Sequence, residues 1–211
     1  MKLNYPEWSY NESNIVSKVA SQLYNERAYP TRLSPLILLT DPMRMKDING
    51  SLKRLPQGST LIYRHFGKAG NQKKAEELRA LTLKQRLQFL IGNDPHLALA
   101  VNADGVHFSR DPKLIAPYYW RDKKPDWLIS MAGIKSGCYE RDLTILDGLL
   151  VSSVFPSNSP TAGAPIGIEG IKKKTKGFCC PIFAMGGINS KNAHKLIGTG
   201  FSGIAGVGFG L

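Results

Sequence analysis

Cysteine is scarce: Cys138, Cys179 and Cys180 are the three in 211 residues. An odd count with an adjacent pair is neither a disulfide framework nor a Cys-x-x-Cys metal site. Cys179 and Cys180 lead into an apolar run and read as small core hydrophobes, which fits a reducing compartment. Acidic residues are also few, 16 Asp+Glu against 28 Lys+Arg, for a formal net charge of +12. That balance favours anionic partners: phosphorylated metabolites, nucleic acid or acidic membrane. A membrane is argued against by the lack of a long hydrophobic run. The longest uncharged stretch, residues 196–211, is too short and too rich in glycine to span. Residues 1–8 lack the apolar stretch of a signal peptide, so the expected location is cytoplasmic. The basic residues are scattered. The densest run, Lys172-Lys173-Lys174-Thr175-Lys176, reads as a solvated helix face, and no basic–aromatic alternation supports a nucleic-acid partner. Homodimer formation is left open.

What is present centres on residues 181–192, Pro-Ile-Phe-Ala-Met-Gly-Gly-Ile-Asn-Ser-Lys-Asn. Ile182 to Met185 is a short apolar run suited to a strand buried on both faces. Gly186 and Gly187 end it and let the backbone approach a ligand closely. Asn189 or Ser190 is expected to cap a helix over 191–197, making an anion site of the turn.

Seven further apolar runs share the pattern: residues 36–41, 60–65, 88–94, 104–109, 127–132, 148–155 and 202–208. Helical segments are expected at 13–27, 47–55, 69–86, 96–101, 112–120, 139–146 and 168–176, the first from Ile15, Val19 and Leu23 at fourfold spacing. A faint repeat places a turn residue and a glycine before a strand, in Asn102-Ala103-Asp104-Gly105, Leu146-Asp147-Gly148 and Phe201-Ser202-Gly203. Eight strands alternating with helices predict an α/β fold, a compact (β/α)₈ TIM barrel over residues 36–211. A doubly wound open sheet is the alternative. Residues 1–35 form an arm and an extra helix that covers the gap between the last and first strands or plugs the barrel bottom. No closing C-terminal helix is expected.

In such a barrel the chemistry sits at the C-terminal strand ends, with phosphate held after strands seven and eight. The phosphate-binding candidates are therefore Gly186 and Gly187 with Gly206, Val207 and Gly208. Asp94 and Asp111 either share a Mg²⁺ with substrate phosphate oxygens or cap the helices that follow them. Arg64 pairs with a carboxylate such as Asp94 or Asp111, or binds phosphate. His65 and His107 are satisfied core or rim histidines, or catalysts. Ser157, Ser159 and Thr161, in a long loop rich in proline and glycine, face the same rim.

These residues resemble a known family. Leu38-Leu39-Thr40-Asp41, Asn93-Asp94, Leu97-Ala98-Leu99-Ala100-Val101, Ala103-Asp104-Gly105-Val106-His107, Val154-Phe155-Pro156 with Gly163-Ala164-Pro165 and Gly167, and Ala184-Met185-Gly186-Gly187-Ile188 are similar, in order, to thiamine phosphate synthase and thiazole tautomerase. The resemblance implies a (β/α)₈ barrel that joins hydroxymethylpyrimidine diphosphate to thiazole phosphate and releases pyrophosphate with Mg²⁺. It implies Asn93 as substrate-binding and Arg64 as the basic residue after strand two.

The departures fall on the diphosphate side. The family's Gln-x-Arg-x-Lys reads Ile62-Tyr63-Arg64-His65-Phe66, with Lys68 two places late. Its Gln-Glu-Asp reads Arg110-Asp111, its serine after strand five reads Ala132, and its loop Thr-Lys reads Ser159-Pro160. Charged hydrogen bonds are worth roughly 1.5–3 kcal/mol each, so several losses would cripple the leaving group's stabilisation. Either Lys68, Arg110 and His65 serve in their place, with His107 a further catalytic candidate, or the chain is a phosphate-binding relative without synthase activity, tautomerase-like or with a salvage or regulatory role. No histidine lies in residues 156–167, which lowers the tautomerase reading.

Overall fold

A computed structural model describes residues 15–45, 47–67, 71–110, 113–133, 143–157 and 163–207. Eight parallel strands close into a barrel in sequence order: β1 Leu36–Leu39, β2 Thr60–Tyr63, β3 Gln88–Gly92, β4 Gly105–Phe108, β5 Leu128–Ala132, β6 Gly148–Val151, β7 Ile182–Met185 and β8 Gly203–Gly206. The helices between them are α2 Ile48–Lys53, α3 Asn71–Lys84, α4 Pro95–Ala100, α5 Ile115–Lys123 and α6 Gly167–Thr175, with α1 Ile15–Glu26 ahead of β1. The open-sheet alternative is excluded because β8 pairs with β1, Leu36 opposite Ile204. Strand alternation divides the core. Ile37, Leu39, Ile62, Leu90, Leu150, Phe183 and Ala205 fill the barrel, while Leu38, Leu61, Phe89, Ile91, Leu149 and Ile204 face the helices.

Helix α1 covers the β8–β1 seam with Val16, Val19, Ala20 and Leu23, all buried. Ile15, expected on that face, is 48% exposed, because the buried stripe runs one position later. The floor is plugged by Leu33 instead, which packs inside against Phe183. Gln88 fixes that connector, accepting from Ser34 N at 3.0 Å and Thr60 Oγ1 at 2.7 Å and donating to Arg32 O at 2.8 Å.

The glycine repeat proves to be a packing device. Gly105, Gly148 and Gly203 open β4, β6 and β8, and a Cβ there would lie 1.9 Å from Leu128 O, 2.7 Å from the Phe183 ring and 2.3 Å from Pro35 O. The residue before each even strand is small and polar: Ser59, Asp104, Asp147 and Ser202. Two of these bear charge and clamp the preceding strand to its helix. Asp104 Oδ2 accepts from Phe89 N at 2.8 Å and its carboxylate takes both Nη atoms of Arg79 on α3. Asp147 Oδ2 accepts from Ile129 N at 2.8 Å and from Arg121 Nη2 on α5 at 2.7 Å, and Arg32 Nε lies 2.7 Å from Oδ1.

Two expected helices differ. After β7 there is only a 3₁₀ turn, Ala193–Leu196. Asn189 and Asn192 fold back on Gly187 O, with Nδ2 distances of 3.3 and 2.8 Å, and use up the turn that a longer helix would need. The segment before β6 is described only as the 3₁₀ turn Leu143–Ile145; the rest of the helix expected over 139–146 lies outside the described residues.

Candidate active site

Asp41, Arg64, Asp94, His107 and Gly187 all reach the C-terminal rim, where a cavity of about 420 Å³ opens over β2 to β5. Arg64, Asn93, Asp94, His107 and Ala132 are among the residues on its wall.

Register explains the position of Arg64. Leu39 pairs with Ile62, so Asp41 and Arg64 stand at the same level two residues on. Thr40 holds the arginine at both ends: Oγ1 accepts from Arg64 N at 2.8 Å, and the carbonyl accepts from Arg64 Nε at 2.8 Å. Its partner is therefore Asp41, whose Oδ2 is 3.7 Å from Nη2, and not the Asp94 that sequence reasoning favoured. Asp41 is shared with Arg44, whose Nη2 is 2.7 Å from the same oxygen. Burial opposes the Asp41 charge, but hydrogen bonds from Arg44 and Met43 N, and then the two cations, hold its carboxyl below the usual range. Burial pulls the Arg64 guanidinium down, Asp41 working against it. Nη2 of Arg64 is buried without a hydrogen-bond partner. Gly92 leaves room for its stem, since a Cβ there would be 3.1 Å from Arg64 Cγ. Phe66, at the place of the family's lysine, puts its ring centroid 5.2 Å from the guanidinium.

His107 is 4% exposed, and its Nδ1 is 2.9 Å from Ser130 Oγ. Burial first, and then the Arg64 charge, lower its pKa to about 3, so the ring is neutral and polar rather than cationic. Asn93 has φ 56° and accepts from Ser109 N at 2.6 Å, tying the β3 end to the β4 end. Asp94 realises the capping alternative: Pro95 opens α4, and Oδ1 accepts from Leu97 N at 2.9 Å. Its Oδ2 stays on the cavity side, 3.3 Å from His65 Nε2. Arg110 is exposed, its stem crossing Gly133.

On the opposite side of the mouth, Gly186 and Gly187 (φ 98° and 68°) lie beside Gly206 and Val207 on the adjacent strand. A Cβ at Gly187 would be 2.2 Å from Pro156 O, so glycine is required there by the loop after β6, not by space for an anion. The short 3₁₀ turn also removes the helix N-terminus expected behind this pair. Ser157 is half-buried in that loop. Lys68, Asp111, Ser159, Thr161 and Gly208 lie outside the described residues.

Thr40 and Ser130 escaped sequence reasoning. Ser130 was findable: it sits two residues before Ala132, on the same inward face of β5.

A protein-family model described as thiamine monophosphate synthase matches residues 39–208. Thiamine-phosphate synthase of Pyrococcus horikoshii is 32% identical over 177 residues, covering 81% of this chain and 83% of that protein. The protein of the same name from Archaeoglobus fulgidus is 35% identical over 134 residues, 62% of this chain and 61% of its own. The solved thiamine phosphate pyrophosphorylase of Pyrococcus furiosus superposes with a TM-score of 0.60 at 27% identity, covering 81% of this chain and 83% of that one. The match runs from the end of β1 through β8 and takes in both halves of the rim; this chain belongs to the thiamine monophosphate synthase family.

Proposed function

We propose that the protein is a thiamine-phosphate synthase, a transferase that joins hydroxymethylpyrimidine diphosphate to thiazole phosphate and releases pyrophosphate, working in the cytoplasm. The observation that carries this is the Arg64 guanidinium, which belongs to the wall of the rim cavity and is held there by Thr40, its Nη2 in ion-pair reach of Asp41 but with no hydrogen bond among the described residues. A cation fixed on a rigid strand end and largely buried suits a departing diphosphate.

Mg²⁺ fits this site. Among the described residues no three His, Cys, Asp or Glu side chains gather into a cage. Mg²⁺ needs none, since it is commonly held by one or two carboxylates together with substrate phosphates. Asp94 offers Oδ2 on the cavity side, and Asp111 is the second candidate. The bound ion supplies positive charge to the diphosphate oxygens and favours their departure.

The chain's own groups divide the remaining work. Arg64, with Lys68 and Arg110, offsets charge on the leaving group. Asn93 orients the pyrimidine part. His107, neutral, offers a hydrogen bond but no charge. Ser157, Ser159 and Thr161 bind the substrates. The backbone of Gly186, Gly187, Gly206, Val207 and Gly208 receives the thiazole phosphate.

A second reading, a phosphate binder without turnover, is favoured by Ile62. It stands at the family's glutamine position, is wholly buried in the barrel interior and has no donor to give. Mixing the protein with both substrates and Mg²⁺ separates the two. Formation of thiamine phosphate establishes the synthase. Thiazole phosphate binding by calorimetry without product formation establishes the binder.

A further inference from the structure

We infer that His65 is a positioning residue that sets the Asp94 carboxylate for its divalent cation, an inference that rests on the reading of Asp94 as a Mg²⁺ ligand. The imidazole is largely enclosed, its side chain 11% exposed. Its Nδ1 accepts from Gly67 N at 3.1 Å, and the Asn71 Nδ2 amide stands at 3.1 Å from the same atom. Two N–H donors aimed at Nδ1 leave that nitrogen as an acceptor, so the ring proton of the neutral form sits on Nε2. Nε2 is the atom that faces Asp94 Oδ2 at 3.3 Å.

Asp94 is thereby addressed on both oxygens. Leu97 N holds Oδ1 from the start of α4, and His65 meets Oδ2 from the loop after β2. Turning the carboxylate away breaks the bond from Leu97 N or lengthens the 3.3 Å contact with His65, and Asp94 is among the residues lining the cavity. Partners of this kind around a ligating carboxylate fix its orientation, and their loss typically costs 10–100-fold in metal affinity. Phe66 stands at the place of the family's lysine, with His65 and Gly67 beside it in the loop after β2 and Asn71 opening α3. The β2–α3 loop then contributes to the diphosphate site through the metal ligand rather than by direct charge.

The test uses Mn²⁺ as a spectroscopic probe, titrated into the full-length protein with inorganic pyrophosphate present and followed by electron paramagnetic resonance. Four variants are compared: His65→Ala, His65→Gln, Asn71→Ala and Asp94→Asn. The last keeps a good helix cap, since asparagine caps as well as aspartate. The expected result is Mn²⁺ affinity about tenfold lower in His65→Ala, most of it recovered in His65→Gln, whose amide still donates, and a smaller loss in Asn71→Ala. With Asp94→Asn the loss is at least as large as in His65→Ala. In turnover, the Mg²⁺ concentration for half-maximal rate rises in His65→Ala while kcat at saturating Mg²⁺ changes far less. Wild-type affinity in both His65 variants, with Asp94→Asn weakened, overturns the role of His65 and leaves Asp94 as a ligand. Unchanged affinity in Asp94→Asn overturns both. Should His65→Ala fail to fold, His65→Gln and Asn71→Ala decide: a His65→Gln protein that folds yet binds tenfold more weakly shows that donation from residue 65 is not what matters.

Discussion

His107 is held neutral beside Arg64: burial of the imidazole and the adjacent guanidinium act in the same direction and lower its pKa to about 3. The consequence for stability has a definite sign. Unfolded, the ring takes up a proton near pH 6.5; folded, it does not until about pH 3. Stability from this residue is complete above pH 6.5 and is lost progressively as the pH falls toward 3. Between pH 7.5 and 5 the loss is about 2 kcal/mol. Urea unfolding at these two pH values, compared with His107→Gln, should show that slope in the wild type and its absence in the variant. The pH–rate profile should also lack a limb from His107 near neutrality.

Arg64→Ala should weaken pyrophosphate binding by about 1.5–3 kcal/mol, the range for hydrogen bonds to charged groups. Arg64→Lys should recover only part of it, since lysine cannot reach Thr40 O and the phosphate with one planar fork. Calorimetry with pyrophosphate measures both. Wild-type affinity in Arg64→Ala would remove this residue from the diphosphate site.

Gly148→Ala should destabilise the barrel by about 1–3 kcal/mol through overpacking, because the new methyl meets the Phe183 ring at 2.7 Å and Leu33 Cδ1 at 2.8 Å. Gly148 lies at the floor, away from the mouth, so KM for both substrates should stay unchanged. Thermal unfolding and steady-state kinetics check the two halves of this prediction.

Asp147→Ala should cost about 3 kcal/mol, at the lower end for a broken buried ion pair because the two arginines are partly exposed. It takes the carboxylate from Arg32 and Arg121, which keep backbone carbonyl acceptors, and leaves Ile129 N without its acceptor. Asp147→Asn keeps an acceptor for that N–H and should lose less. Denaturant midpoints rank the two.

Gly187→Val should lower the melting temperature and phosphate affinity together. Its Cβ meets Pro156 O at 2.2 Å, and valine is strained at φ 68°. Differential scanning calorimetry alongside thiazole phosphate titration tests this, and loss of affinity at an unchanged melting temperature would contradict it.

The barrel was legible because each strand is a short apolar run ending in polar residues, and β7, Ile182–Met185, emerges with the very bounds its composition implies. The floor and seam were half legible: a helix ahead of β1 is visible as periodicity, but that Leu33 rather than the helix enters the barrel depends on the turn between them. Pairing at the rim was not legible. Arg64 meets Asp41 because β1 and β2 are in register there, and no residue pattern within either strand reports register with its neighbour. The glycines that open β4, β6 and β8 were visible as a repeat, but their reason, neighbours less than 3 Å from any Cβ, lies in segments distant in sequence. The turn after β7 was misjudged because Asn189 and Asn192 suit a cap or a closed polar turn equally well.

The four small polar residues ahead of the even strands are not equivalent, and the difference predicts where the native state opens first. Asp104 and Asp147 bind β3 and β5 to their own helices by charge-assisted hydrogen bonds. Ser59 and Ser202 occupy the matching places before β2 and β8 with hydroxyls that are buried and unpartnered. Amide protons of β3 to β6 should therefore exchange through global unfolding, while those around β8, β1 and β2 escape through cheaper local openings beneath α1. The mouth would then be graded in stiffness, its Asn93–Asp94 side anchored to the clamped sector and its Gly206–Val207 side resting on the softer one.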